Sequence, residues 1–201
     1  TMAQAYLYAF PDITSWPYVA YEGFYPMAKN LGSMSSLDNL VFIPLVPAAE
    51  RDNFTDFMFD YWARDPGVPD LTGLPVMNLG GIWSTNVSKT PPFYADMDGY
   101  VSAFPTTHQG ILYPIFQMTF SPDITPASLG YNVHSVALFG VPIDVFQDCV
   151  TNSVSLLEAR TGCSYLSDII PLPAPTLVDP FPTITNIQAS IVQPIVLPST
   201  A

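Results

Sequence analysis

One amphipathic helix constrains the fold of this chain more than any other feature of its sequence. Between residues 47 and 65 apolar side chains recur every three or four positions, the spacing of a single helix face. The apolar stripe consists of Phe54, Phe57, Met58, Tyr61 and Trp62. The opposite face carries Asp52, Asp56 and Asp60. Pro47 suits a first helical turn, and Pro66-Gly67 suits the end. We therefore predict a scaffold helix packed against a core.

Strand-like patterns occupy much of the remaining chain. Alternating aromatic residues predict a strand within residues 5–10, and continuous apolar runs predict strands at 40–46, 110–120 and 129–138. Pro44 is expected to weaken the end of the 40–46 strand.

A second helix is predicted from residue 142 to 160, with Gly162 as its C-terminal cap. The chain has two cysteines, Cys149 and Cys163, which are 14 residues apart. Since Cys163 follows the cap, it can fold back toward the helix. We favour an intramolecular disulfide; free thiols or a bridge between subunits are the alternatives.

Charge is scarce and almost entirely negative. Charged residues make up 11% of the chain, against about 25% in ordinary globular domains. Only five residues are basic, and they are scattered singly, which excludes the clustered cations needed to bind nucleic acid. The longest apolar run, residues 40–49, is shorter than the ~20 residues of a membrane span. We expect no direct membrane insertion, and the lack of a signal peptide suggests a mature product.

Two sequons indicate an extracellular glycoprotein. Asn53-Phe54-Thr55 and Asn86-Val87-Ser88 both satisfy the rule for N-glycosylation. Asn86 is the stronger candidate, because it lies in a looser segment, whereas Asn53 flanks the apolar stripe. A possible disulfide and 22 prolines point to the same compartment. We expect N-linked glycans and no other cofactor.

The sequence carries no recognisable catalytic pattern. There are two histidines, His108 and His134, and no metalloprotease, nucleophile-elbow, paired-cysteine or phosphate-loop motif. A lone histidine is more often a structural residue than a catalyst. We predict a protein that is not an enzyme and has no metal site.

Several segments, in order, resemble the CHASE family of extracellular sensor domains, in the versions found in diatoms and related algae. "FIPLVPAAERDNF" at 42–54 is similar to the family's ERxxF block, and "YPIFQ", "LGYNVHS" and "LEARTGCSYLSDIIPL" follow in the family's order. The resemblance implies an α+β fold, with a PAS-like mixed or antiparallel sheet and flanking helices. It also implies ligand contacts at Asn132 and Ser167, although Asn132 carries no carboxylate where cytokinin-binding members have an acidic residue.

The predicted organisation has three parts: an N-terminal extension at 1–15, a CHASE-like core at 16–168 and a Pro-rich segment at 169–201. Both ends are strand-prone, and a strand-forming run at 183–197 needs a pairing partner in its own sheet or a neighbour's. Receptor members of the family begin and return at a membrane helix, which this sequence lacks. We therefore predict a secreted structural subunit that joins copies of itself through its terminal segments into a filament. The alternative is the small-molecule-sensing ectodomain of a receptor kinase or cyclase.

Overall fold

The structure is a computed structural model, and it combines helices with short antiparallel strands, an α+β architecture. It describes residues 2–35, 40–86, 93–96, 110–119, 126–135, 137–153, 163, 165–166 and 191–192. The helices are α1 (Met2–Ala9), α2 (Phe24–Ser35), α3 (Arg51–Arg64), α4 (Pro75–Asn78) and α5 (Ala137–Asn152). The strands are β1 (Val41–Phe42), β2 (Val46–Pro47), β3 (Trp83–Asn86), β4 (Phe93–Asp96), β5 (Ile111–Leu112), β6 (Gln117–Met118), β7 (Tyr165–Leu166) and β8 (Ile191–Val192).

The strands form antiparallel pairs: β1 with β6, β2 with β5, β3 with β4 and β7 with β8. Two isolated bridges join the first three pairs through the segment that contains Tyr131 and Asn132. Tyr131 bridges Trp83 in parallel, and Asn132 bridges Pro114 in antiparallel fashion. These isolated bridges connect the first three two-stranded sheets, whereas β7 and β8 pair separately.

The β1–β6 and β2–β5 ladders join the same two stretches of chain, residues 41–47 and 111–118, and their registers differ by one residue. Phe42 pairs with Gln117, and Val46 pairs with Leu112. Three residues lie between the paired positions on one segment and four on the other, so the second segment carries an extra residue, as a β-bulge does. The offset places all four paired side chains in the buried core.

The principal amphipathic helix is confirmed, as α3. Its buried residues are Phe54, Thr55, Met58, Tyr61 and Trp62, and the three aspartates predicted for its outer face are exposed. Phe57 is only half-buried. The helix begins later than predicted, because Pro47 belongs to β2 and the next residue, Ala48, still donates its N–H to the Gly110 carbonyl at 2.8 Å. A short 3-10 turn, Ala48–Glu50, then leads into α3.

The predicted N-terminal strand is wrong: this segment is α1. Its composition, MAQAYLYA, is rich in strong helix formers. The Phe10 N–H donates to the Tyr6 carbonyl at 2.9 Å, which is the helical spacing. The aromatic alternation reflects one buried and one exposed tyrosine, since Tyr6 is 0% exposed and Tyr8 is 87% exposed.

Three other predicted elements differ in extent. The 40–46 and 110–120 runs are each divided into two short strands, with Pro44 and Pro114 in the interruptions. The 129–138 run is not a continuous strand, because after its two bridged residues it turns into a 3-10 segment, Val133–Ser135. The second helix begins at Ala137, five residues before the predicted start, and ends at Asn152. Residues 154–160, also predicted helical, lie outside the described residues.

The predicted C-terminal strand is represented by β8, which pairs with β7 of the same chain. The partner strand β7 begins two residues after Cys163, and β8 also contacts α5. The remainder of the 183–197 run lies outside the described residues.

Candidate functional site

The most elaborately built site is the groove that receives α1. Four side chains form it, and they are called the Tyr6 groove below: Trp16, Tyr21, Phe42 and Gln117. The Tyr6 ring stacks on the Phe42 ring, with centroids 4.2 Å apart, and lies 6.4 Å from Trp16 and 5.8 Å from Tyr21. Trp16 is held in turn, because its indole N–H donates to the Phe10 carbonyl at 3.3 Å. Tyr6 is therefore enclosed by three rings, two from the segment before α2 and one from β1.

Gln117 is the polar centre of this groove and is fully buried. Its Oε1 accepts hydrogen bonds from the Tyr6 hydroxyl and, at 3.2 Å, from the Tyr21 N–H. Its Nε2 donates to the Tyr21 carbonyl at 3.1 Å and to the Tyr61 hydroxyl oxygen at 2.6 Å. A glutamine side chain offers two donor hydrogens and two principal acceptor positions. All four are used, so Gln117 connects α1, β6, α3 and the segment before α2.

The hydrogen-bonded chain continues to the end of α3. The Tyr61 hydroxyl donates to Asp65 Oδ2, while Asp65 Oδ1 accepts from the Gly67 N–H at 2.8 Å. Burial raises the pKa of Tyr61, and the hydrogen bond to Asp65 raises this pKa further. Burial likewise raises the pKa of Tyr6. Both hydroxyls therefore stay protonated and remain donors at ordinary pH.

Asn132, a ligand contact in the receptor alternative, is fully buried where its backbone bridges Pro114. Its Oδ1 accepts from the Tyr113 N–H at 2.9 Å, and its backbone N–H donates to the Trp83 carbonyl at 2.9 Å. The Asn132 side chain thus provides a hydrogen-bond acceptor for the backbone N–H of the residue that directly follows β5. Ser167, the other contact predicted from the resemblance, lies outside the described residues.

His134 makes a structural link to α5. Its ring is 1% exposed and stacks on the Tyr113 ring at 5.2 Å. Nε2 lies 2.8 Å from Asp144 Oδ1. The Tyr113 hydroxyl reaches Gln147 one turn further along the helix, and burial, followed by the charge of Asp144, raises the pKa of Tyr113. These contacts fasten the 3-10 segment to α5.

The two predicted glycosylation sites differ in surroundings. Asn53 is exposed in the first turn of α3, and its Nδ2 donates to Glu50 Oε2 at 3.0 Å. Thr55 of the same sequon is 8% exposed, so a glycosyltransferase can bind this tripeptide only before the chain has folded. Asn86 is the last residue of β3, and the rest of its sequon lies outside the described residues.

The predicted Cys149–Cys163 disulfide is present, with the Cα atoms 5.7 Å apart. Ser153 supports it, because its hydroxyl donates to the Cys149 carbonyl at 2.8 Å and lies 3.3 Å from the Cys163 sulfur. The bridge fixes the C-terminal part of α5 against the residue that leads into β7. It therefore ties the β7–β8 pair to the main body of the protein.

Two negative findings apply to the described part of the chain. It contains no cluster of three or more His, Cys, Asp or Glu side chains arranged to hold a metal ion. No helix among the described residues combines the length and the apolar character needed to cross a membrane.

The sequence predictions missed the Tyr6 groove. Tyr6 was assigned to a strand, and Gln117 was passed over within the apolar run "YPIFQMTF". A polar residue inside a buried run needs hydrogen-bond partners, and this was the available signal. The partners themselves lie 96 and 111 residues away in the sequence, and no local pattern identifies them.

No known family model, curated protein or solved structure matches this chain.

Proposed function

We propose that this chain is a non-enzymatic, extracellular structural subunit that associates with copies of itself through its terminal segments. The observation that carries the proposal is the attachment of α1, whose Tyr6 side chain is inserted into a groove built by later parts of the chain. Every copy has the same helix and the same groove. Contacts between unlike surfaces of identical subunits produce open filaments when the rotation between them does not close.

Two features support the extracellular part of the proposal. The Cys149–Cys163 disulfide is a bond that persists in oxidising compartments. N-linked glycans on Asn86 and on the exposed Asn53 would cover a surface that has few charges. No other cofactor enters the proposal.

The proposed joint at the N-terminus is a helix in a groove, because this segment forms α1 and not the strand predicted from the sequence. A helix that lies in a groove is a common mode of recognition. At the other end, β8 pairs with β7 of its own chain, so an intersubunit role requires release from β7. The N-terminal joint is therefore the stronger half of the proposal.

Electron microscopy of the glycosylated protein, secreted by a eukaryotic host, tests the function. We expect regular filaments that disappear when residues 1–10 are deleted. A matched control, Asp56→Asn on the exposed face of α3, should leave the filaments unchanged. Compact monomers or dimers at all concentrations, before and after the deletion, would contradict a structural role.

A ligand-sensing ectodomain of CHASE type, with a PAS-like sheet, is the second candidate. One observation favours it: the Ser84 hydroxyl is fully buried and has no hydrogen-bond partner among the described residues. Ser84 and Asn132 are the residues that follow the Trp83–Tyr131 bridge on its two parallel segments, so they are neighbours in register. A melting-temperature screen of the monomer against small polar heterocycles tests this candidate, and a ligand whose effect is lost in Ser84→Ala would support it.

A further inference from the structure

A polar cluster of three side chains lies where α3 begins. The Tyr18 hydroxyl donates to Glu50 Oε2 at 2.6 Å, and Asn53 Nδ2 donates to the same oxygen at 3.0 Å. Tyr18 belongs to the segment before α2 and lies 32 residues before Glu50 in the chain. Asn53 is also the asparagine of the first sequon. The cluster therefore joins a glycosylation site to a distant part of the fold.

Tyr18 gives this cluster an aromatic surface. Its ring centroid lies 5.8 Å from that of Phe54 and 5.7 Å from that of Phe57. The side chain is only half-buried, so part of the ring is open to solvent. Burial, followed by the hydrogen bond to Glu50, raises the pKa of Tyr18 to about 12, and a hydrogen bond from Asn53 acts in the opposite direction. The Tyr18 hydroxyl therefore stays protonated at ordinary pH and lies next to the Asn53 amide.

Glu50 has a second carboxylate oxygen that can accept further hydrogen bonds. The bonds from Tyr18 and Asn53 both end on Oε2, and in that order they lower the pKa of the carboxyl group. In the part of the chain that the structure describes, no group donates to Oε1. An ionised carboxylate accepts through both oxygens. Glu50 therefore presents an acceptor beside the sequon asparagine.

An N-linked sugar on Asn53 fits the chemistry of this cluster. Attachment replaces one Nδ2 hydrogen by a bond to C1 of N-acetylglucosamine, while the lipid diphosphate carrier leaves and the proton is released. The other Nδ2 hydrogen remains available to Glu50 Oε2. The acetamido nitrogen on C2 is three bonds from Nδ2, which brings its N–H within reach of Oε1. Because Thr55 is 8% exposed in the folded protein, the sugar is attached before Tyr18 meets Glu50.

We propose that Glu50 and Tyr18 bind the first N-acetylglucosamine of an Asn53 glycan and make this sugar part of the folded protein. Glu50 Oε1 accepts from the acetamido N–H, and the open part of the Tyr18 ring packs against the C–H groups of the sugar ring. This inference rests on the glycosylation of Asn53 in the proposed function and adds a binding site for the sugar within the same chain.

A protein that carries a single sugar residue tests the proposal. The Asn86→Gln chain, in which Asn53 is the remaining sequon, is secreted by a host that adds high-mannose glycans. An endoglycosidase then trims the glycan to its first N-acetylglucosamine. The reference is the same chain secreted to a bacterial periplasm without N-glycosylation, where the disulfide also forms. We expect the single-sugar form to melt about 2–4 °C higher, the effect of roughly one hydrogen bond in a domain of this size.

Nuclear magnetic resonance locates the sugar without any change to the cluster. We expect nuclear Overhauser effects between the sugar protons and the Tyr18 ring in the single-sugar form. Equal melting temperatures of the two forms, with no such effects, would overturn the proposal. An Asn53 that carries no sugar in the secreted protein would also overturn it.

Three variants separate binding of the sugar from a general effect of glycosylation. Glu50→Ala removes the acceptor, and Tyr18→Leu removes the flat ring, so each should abolish most of the difference in melting temperature between the two forms. The Asp56→Asn control, on the exposed face of the same helix, should keep the full difference. A sugar that acts only by restricting the unfolded chain would give the same difference in all three variants, which would overturn the proposal.

Electron microscopy of the same single-sugar protein separates failure of the sugar site from failure of the function. Filaments formed by a protein that the sugar does not stabilise would retain the structural function and reject the sugar site. A sugar that stabilises the protein and contacts Tyr18, in a chain that forms no filaments, would support the site and reject the assembly.

Discussion

Helices α1 and α3 meet at the same glutamine, but they are built in opposite ways. Helix α3 contributes five buried side chains and forms part of the core itself. Helix α1 places one fully buried tyrosine in a finished groove and leaves Tyr8 in solvent. Burial of one large apolar side chain contributes about 1.5–3 kcal/mol, so the five buried residues make α3 an integral part of the folded core. Helix α1 combines a ring contact with a hydrogen bond to Gln117, so its docking depends on a buried polar group as well as on apolar burial.

The largest expected effect lies in α3. Phe54 is fully buried and packs against Phe116, with ring centroids 5.6 Å apart. Phe54→Ala should lower the free energy of unfolding by about 3–5 kcal/mol, through lost transfer energy and the cavity that remains. Urea denaturation measures the change, and hydrogen exchange should show weaker protection throughout the core. A loss of protection confined to α3 would contradict its integral role.

A second prediction concerns the contact between α3 and the turn before β3. Gly81 has a φ of +139°, and a Cβ at this position would lie 2.5 Å from Thr55 Cγ2. Gly81→Ala should therefore destabilise the fold by about 1–3 kcal/mol, through strain and overpacking. Thr55→Ser removes that methyl group and should restore part of the loss in the double variant, measured by thermal unfolding. Gly73→Ala, at a φ of +80° and with no atom within 4 Å of the added Cβ, is the control for a positive φ without overpacking.

A smaller effect should reveal the link between the two helices. Tyr61→Phe removes the hydroxyl that joins Gln117 to Asp65 and should cost about 1 kcal/mol. A double-mutant cycle with Tyr6→Phe should give a coupling energy above about 0.5 kcal/mol, because both hydroxyls share Gln117. Strict additivity in urea denaturation would show that α1 and α3 act independently.

The smallest expected effect is a pH dependence at the start of α3. A hydrogen bond from the Tyr18 hydroxyl, and a second from Asn53, lower the pKa of Glu50. Because the folded pKa lies below the unfolded one, this stabilisation is present above the unfolded pKa and is lost as the pH falls through the folded pKa. Glu50→Gln should be less stable than the wild type at about pH 6, with the difference shrinking toward about pH 3. A constant difference in melting temperature would contradict this assignment.

Sequence periodicity predicted which face of α3 is buried. The stripe of α3 was read correctly in four of its five buried residues because helical spacing records which side chains face a core. The disulfide was also predicted, from a helix cap followed by a cysteine. In both cases the signal lies within one short segment.

The part that depends on tertiary contact was not predictable in the same way. In α1, the alternation of aromatic residues was read as a strand, although the helix formers of MAQAYLYA favour the helix that the structure shows. The role of Gln117 depends on partners far along the chain. Pro44 was expected to weaken one predicted strand, whereas the division of the second strand near Pro114 was not predicted. A ligand role for Asn132 came from the resemblance alone, whereas the structure bonds this side chain to the backbone of Tyr113.

The one-residue offset between the ladders ties the length of the chain to the attachment of α1. If the ladder continued from the Val46–Leu112 pair without the bulge, Phe116 would lie opposite Phe42 and Gln117 would point to the other face of its strand, since side chains alternate along a strand. Tyr6 would then have a groove of rings with no polar centre. The bulge therefore acts as a register device, because it presents an amide to Tyr6 where an uninterrupted ladder would present a phenyl ring.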